Sequence, residues 1–267
     1  MFTMLSFFAF AFGAIVGSFL NVVIYRYPRQ ESIVFPGSHC PHCNAPIAWY
    51  DNVPILSYAI LGAKCRNCRA PISARYPLVE LANGLFYLAL FLRTGPAVAF
   101  PLLAAIVSMT IVLIYIDADI QILPDVIDLP GIVIGVALAA SGAVPLDSDL
   151  SLAATLRESI IGAAAGAGCL ILIAETYKLV RRAEGMGYGD VKMMAMIGGI
   201  VGWRWLFAVV MLASVAGAIV GLATAARSRD GLRTALPFGV FLGMAMLAIV
   251  FFGSIFVQWL PTLRWDW

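Results

Sequence analysis

Eight stretches of this chain run for roughly twenty residues with almost no charge: 3–25, 77–93, 97–116, 127–144, 156–178, 190–203, 205–225 and 236–259. An α-helix rises about 1.5 Å per residue, so roughly 20 apolar residues cover the ~30 Å of bilayer hydrocarbon. The repetition predicts an all-α polytopic membrane protein with about eight transmembrane helices. The second and sixth stretches are short, and only Gly202-Trp203-Arg204-Trp205 parts the sixth from the seventh. Hydrophobic residues make up 62% of the 267 and charged ones 12%, too little charge to coat a soluble domain of this length.

The few charges set the orientation. Of 17 Lys and Arg, thirteen fall in 26–75, 178–192 and 227–233, and four (Arg93, Arg157, Arg204 and Arg264) fall elsewhere. Basic residues collect on the cytosolic side, so those three segments are expected inside and both termini outside. No charge precedes Arg26, which suits an uncleaved first span rather than a secretory signal. Gly-x-x-x-Gly pairs beginning at Gly13, Gly131, Gly162, Gly217 and Gly239 predict close helix packing within one bundle.

Residues 26–76 form the one long polar excursion. The expected organisation is a first transmembrane helix, 1–25, a cytosolic zinc-binding loop domain, 26–76, and a multi-span membrane domain, 77–267. Two Cys-x-x-Cys knuckles, Cys40/Cys43 and Cys65/Cys68, stand 21 residues apart, each followed by an Ala-Pro turn. Two readings fit: four thiolates around zinc, or disulfide and redox pairs. A reducing cytosol favours zinc, and four cysteines would close its shell and make it a structural staple. His39 and His42 flank the first knuckle as neighbours, and Cys169 reads as a small packing residue.

Carboxylates inside or beside hydrocarbon are costly and mark functional positions. Ile116-Asp-Ala-Asp-Ile-Gln-Ile-Leu-Pro-Asp125 supplies three. Asp117 and Asp119 would point to nearly opposite sides of a helix, so a partner for Asp117 has to come from elsewhere. Asp125, after Pro124, can cap the next helix. Asp190 follows alternating Gly185, Gly187 and Gly189, which would let an extended peptide lie close to the backbone. The other reading makes Asp190 a helix cap and the glycines a flexible loop. If Asp117 and Asp190 meet, the pair would share one proton: the ionised member activates water and the protonated one polarises a carbonyl.

Taken in order, GSFLNVVIYRYP from Gly17, PGSHCPHC, WYDNVPILSY, RYPLVELANG, IDADIQILPD, GMGYGDVK and PFG at 237–239 resemble the bacterial type IV prepilin peptidase/N-methyltransferase family. The resemblance implies that Asp117 and Asp190 are the catalytic pair, with Asp119, Asp125, Gly187 and Gly189 in the surrounding motifs. It implies cleavage of the basic leader of prepilins or pseudopilins after glycine at the cytosolic face of the inner membrane. N-methylation of the new terminus from S-adenosylmethionine would follow. Expected partners are those substrates, of pilus or type II secretion systems, and the lipid bilayer, with no nucleic acid. Glu80 and Lys64 are candidates for the methyl-transfer region. Two departures stand out: Ala63 where glycine is common, which bears on methyl transfer, and Val240 where proline is usual. Three alternatives remain: a peptidase without efficient methyl transfer, a presenilin-like intramembrane protease, and a zinc-stapled transporter. The cysteine knuckles argue against the second, and carboxylates far apart would favour the third.

Overall fold

A computed structural model describes residues 2–144, 150–182, 187–226 and 236–259. Glu184 and Gly185, and the basic residues Arg227, Arg229, Arg233 and Arg264, lie outside the described residues. The helices are α1 (Phe2–Arg26), α2 (Leu56–Ile60), α3 (Arg75–Thr94), α4 (Ala99–Ile120) and α5 (Asp125–Ser141). They continue with α6 (Leu156–Arg181), α7 (Tyr188–Val201), α8 (Leu206–Ala225) and α9 (Phe238–Trp259). Each of the eight apolar stretches is therefore a helix.

Among the described residues, five helical segments are long and apolar enough to cross a membrane: Thr3–Arg29, Ala99–Ile120, Leu156–Arg181, Trp203–Ala225 and Phe238–Phe256. That departs from the expected eight. α7 has 14 residues, so it measures about 21 Å and falls short of the hydrocarbon width. α5 has 17 residues and carries Pro130 inside it, and α3 carries Arg75, Glu80 and Arg93. Helix α7 is instead the centre of its surroundings: Val191 and every residue from Met193 to Val201 are buried. A helix apolar on all sides is stable when other helices cover it. Gly202, at φ 79°, ends it before the turn into α8, and this separates the sixth and seventh stretches.

The chain divides into two compact units, Met1–Pro96 with Leu103–Val112, and Ala97–Leu102 with Leu113–Trp267. In the first, α1 packs on α3 through its two glycines. A Cβ on Gly13 would sit 2.7 Å from Tyr87 Cβ, and one on Gly17 would sit 2.7 Å from Glu80 Cα. Asn83, fully buried, donates to Gly13 O at 2.7 Å and accepts from Ser108 at 3.0 Å, and Tyr87 joins Ser108 at 3.0 Å. Buried polar groups need such partners, and here they pin α1, α3 and the 103–112 stretch together.

In the second unit α6 and α7 cross at Gly162 and Gly198, so tightly that a Cβ on either would fall inside the backbone of the other. Gly166 lies against Met194, Gly135 against Gly199 and Ile200, and Gly217 against Phe241. Gly243 takes Ile114 and Met193. The small-residue stripes thus serve contacts within this chain. Without a hydrophobic force between helices in lipid, close backbone approach supplies much of the dispersion that holds them.

Candidate functional site

Asp117 lies in the last turn of α4 and is only 4% exposed. Its Oδ2 accepts the backbone N–H of Val240 at 2.9 Å, and Gly239 is a second backbone donor. Both belong to the first turn of α9, where amide groups have no partner within the helix. A Cβ on Gly239 would stand 2.9 Å from Asp117 Oδ2 and 3.0 Å from Leu123 Cδ1. Hence the Pro-Phe-Gly motif ends in the one residue that leaves room for the carboxylate. Val240 adds an N–H that a proline there would lack.

Asp190 sits half-buried in the first turn of α7, whose N-cap is Gly187 with no side-chain cap. It is therefore not the capping residue. Gly187 opens onto free space, whereas a Cβ on Gly189 would meet Leu123 Cβ at 3.0 Å. Leu123, from the turn that follows Asp117, thus touches the glycine beside each acid. Asp190 lies within coulombic reach of Asp117. The structure brings together two acids that stand 73 residues apart in the chain (190 less 117).

The other two aspartates of the motif go elsewhere. Asp119 is exposed, on the side of α4 away from Asp117, as the helical period requires. Asp125 is in the first turn of α5 after Pro124 and makes no cap bond. Its oxygens accept Lys192 Nζ at 2.6 and 2.7 Å, which ties α5 to α7 two residues past Asp190. Sequence reasoning missed Lys192, Gly239 and above all Asp128, which is fully buried one turn beyond Asp125. The signal for Asp128 was present, an acid inside the apolar stretch 127–144.

In the first unit the two knuckles repeat one fold. Cys40 N–H donates to Ala45 O and Asn44 N–H to Cys40 O; Cys65 donates to Ala70 and Arg69 to Cys65 in the same way. Asn44 (φ 54°) and Arg69 (φ 60°) take the same left-handed turn, and His39–Pro46 and Lys64–Pro71 form matching bridges. The four sulfurs lie within 4.8 Å of one another, with Cys40 and Cys68 at 3.8 Å. Tetrahedral thiolates about 2.3 Å from a zinc ion stand roughly 3.8 Å apart, whereas a disulfide needs about 2.05 Å. The cluster could hold a metal. The Asn67 amide, reaching Cys43 Sγ at 3.5 Å, brings that thiol down to about 6, and backbone amides of Cys68 and Asn67 lower Cys65. Against the backbone amide of Ala70, burial and the three neighbouring thiols push Cys68 up to about 11. Thiolates are the metal-binding form. Arg66 grips Asp51 through two bonds, one of 2.6 Å, and holds that carboxyl below its usual range, locking the second knuckle to the Trp49–Asp51 turn.

Glu80, 8% exposed, accepts the N–H of Ile55 at 2.7 Å, and Lys64 lies in the bridge beside Cys65. Ile55 is held at φ 64°, unusual for a β-branched residue. Ala63 also sits in the left-handed region, at φ 58°, where a methyl group costs about 1 kcal/mol that glycine avoids.

Long apolar helices, with buried or half-buried acids at the ends of α4 and α7 and a cysteine cluster on a separate polar loop, define a polytopic membrane protein. Two family models match the chain: the bacterial peptidase A24 N-terminal domain over residues 11–94, and the type IV leader peptidase family over 104–222. Proteins named prepilin leader peptidase/N-methyltransferase are similar along nearly the whole chain. The one from Burkholderia pseudomallei (strain 1026b) is 40% identical, covering 93% of this chain and 86% of its own. That from Pseudomonas aeruginosa is 36% identical, covering 87% and 85%, and that from Aeromonas hydrophila 33%, covering 95% and 92%. No solved structure gives a significant match. The chain belongs to the type IV prepilin leader peptidase family.

Proposed function

We propose that this chain cleaves the basic leader from type IV prepilins and pseudopilins after glycine and N-methylates the residue so exposed. The observation that carries the peptidase reading is the approach of Asp117 and Asp190 from the ends of α4 and α7. One carboxylate takes a proton from a water molecule as it attacks the scissile carbonyl, while the other gives its proton to the carbonyl oxygen. On collapse of the gem-diol the first passes its proton to the leaving amine and the second regains its own from the hydroxyl. The α9 amides fix the orientation of Asp117, and Leu123 packs against Gly189 next to Asp190. Gly187 leaves open space on the approach to Asp190, so a peptide can lie extended along it. The transporter alternative called for carboxylates far apart, and their proximity weighs against it.

The topology that fits is an inner-membrane protein of eight spans, α3 and α5 among them, in which the short α7, covered by other helices, need not match the full hydrocarbon width. The acids then face the cytosol and both termini lie outside, in accord with the basic loops. A basic leader is retained on that side by the same rule, and S-adenosylmethionine is available there. Residues 26–76, with Glu80 and Lys64, are the candidate region for methyl transfer. Zinc on Cys40, Cys43, Cys65 and Cys68 would staple a loop that has little core of its own. Mass spectrometry of a co-expressed prepilin tests the reading. Loss of the leader together with a gain of one methyl group is expected, and an unprocessed pilin overturns it.

A metal staple has its own consequence. Chelation or Cys65→Ser is expected to make residues 38–72 sensitive to protease while leader cleavage falls only a few-fold. Unchanged protease resistance would count against the staple.

A further inference from the structure

Asp128 has no place in the mechanism above, yet it is the most deeply buried acid of the chain's described residues. It is 0% exposed, and neither Oδ1 nor Oδ2 has a hydrogen-bond partner. A buried carboxyl without a donor destabilises a fold, so one that persists asks for a function. Its place supplies the candidate. α5 packs on α7, and the Asp125–Lys192 ion pair lies one turn back on the same helix. The charged groups that act on Asp128 are Asp125 on its own helix, Lys192 and Asp190 on α7, and Asp117 on α4. Because Lys192 is already held by both oxygens of Asp125, Asp128 has no cation of its own among them.

We propose that Asp128 is a third acid of the peptidase site, a positioning group that never touches substrate but shares protons with Asp117 and Asp190. The inference rests on those two acids being the catalytic pair. Carboxyls within reach of one another in a water-poor interior cannot all carry charge at once, and protons distribute over the whole set. An aspartic mechanism needs one proton kept on the pair while the other member is charged. At cytosolic pH an isolated pair sheds that proton readily. A third acid beside the pair opposes its loss and extends the working range upward in pH.

The experiment uses the full chain in nanodiscs and a synthetic peptide with a basic leader ending in glycine, followed by an apolar segment. Cleavage rates of wild type, Asp128→Asn and Asp128→Leu are followed from pH 5 to pH 9, together with thermal melting. Both variants are expected to melt at or above the wild-type temperature and to lose activity on the alkaline side, with that limb displaced by half a pH unit or more. Superimposed profiles overturn the proposal. So does a displacement seen in the leucine variant alone, which would make shape and not charge the cause. So does a large fall in melting temperature in both, which would assign Asp128 a structural bond. Failure of the underlying reading is distinct: Asp117→Asn would then still cleave.

Discussion

Asp117→Asn and Asp190→Asn are each expected to lower leader cleavage by about 10³-fold or more, since each removes a group that must move a proton during the reaction. The substitution is unusually clean at Asp117. An asparagine oxygen can still accept from Val240 and Gly239, so side-chain position is retained while proton transfer is lost. Neither variant should leave the membrane or melt much below wild type. The check is a cleavage assay on purified protein with melting measured in parallel. Activity within tenfold of wild type in either variant would remove that acid from the catalytic pair. Methyl transfer, measured on a peptide whose leader is already absent, is expected to survive both changes, because its candidate residues belong to the other unit.

Gly198→Ala should have an effect of similar size for an entirely different reason. One added methyl group on α7 would fall within the backbone of Gly162 on α6, and a backbone carbonyl cannot turn aside as a flexible side chain does. The helices must separate, which forfeits their contact along several turns. Destabilisation of about 3 kcal/mol or more is expected, at the upper end for overpacking. Cleavage should fall with it, since α7 carries Asp190. Gly168→Ala provides the contrast. It lies on the same helix as Gly162, but a Cβ there meets nothing within 4 Å. That variant is expected to be neutral or slightly stabilised, by up to about 1 kcal/mol, because alanine is the better helix former. Melting temperature and cleavage rate together decide the matter. Equal behaviour of the two alanine variants would show that the α6–α7 crossing is looser than described.

These two cases also mark how far the residues could be read in advance. The Gly162/Gly166 pair was legible as a packing stripe from its spacing, but its partner was not. Gly198 opens a further Gly-x-x-x-Gly pair with Gly202, but spacing does not say which backbone it meets, and only the crossing of α6 over α7 makes it critical. The cysteine knuckles were legible almost completely, because gathering four thiols takes a short spacing and a tight turn that repeat in the chain. Their duplicated hydrogen bonds follow from the duplicated sequence. Asp125 was legible as an acid of the motif but misjudged as a cap. Its true partner, Lys192, is 67 residues away, and ion pairing across helices leaves no local pattern. Asp128 was passed over because a single acid does not disturb the hydropathy of the stretch around it.

What the sequence determined by itself is everything set by local periodicity: the apolar helices, the polar segments between them, and the two turns that gather four thiols. Such features depend on residues a few places apart, so spacing alone contains them. Tertiary structure decided that the short α7 is covered on all sides, which acids come within reach of one another, and why a glycine at 239 sits under Asp117. Those outcomes depend on backbones meeting at distances of a few ångströms after folding. Separation along the chain carries no record of such meetings, because packing and not periodicity selects them.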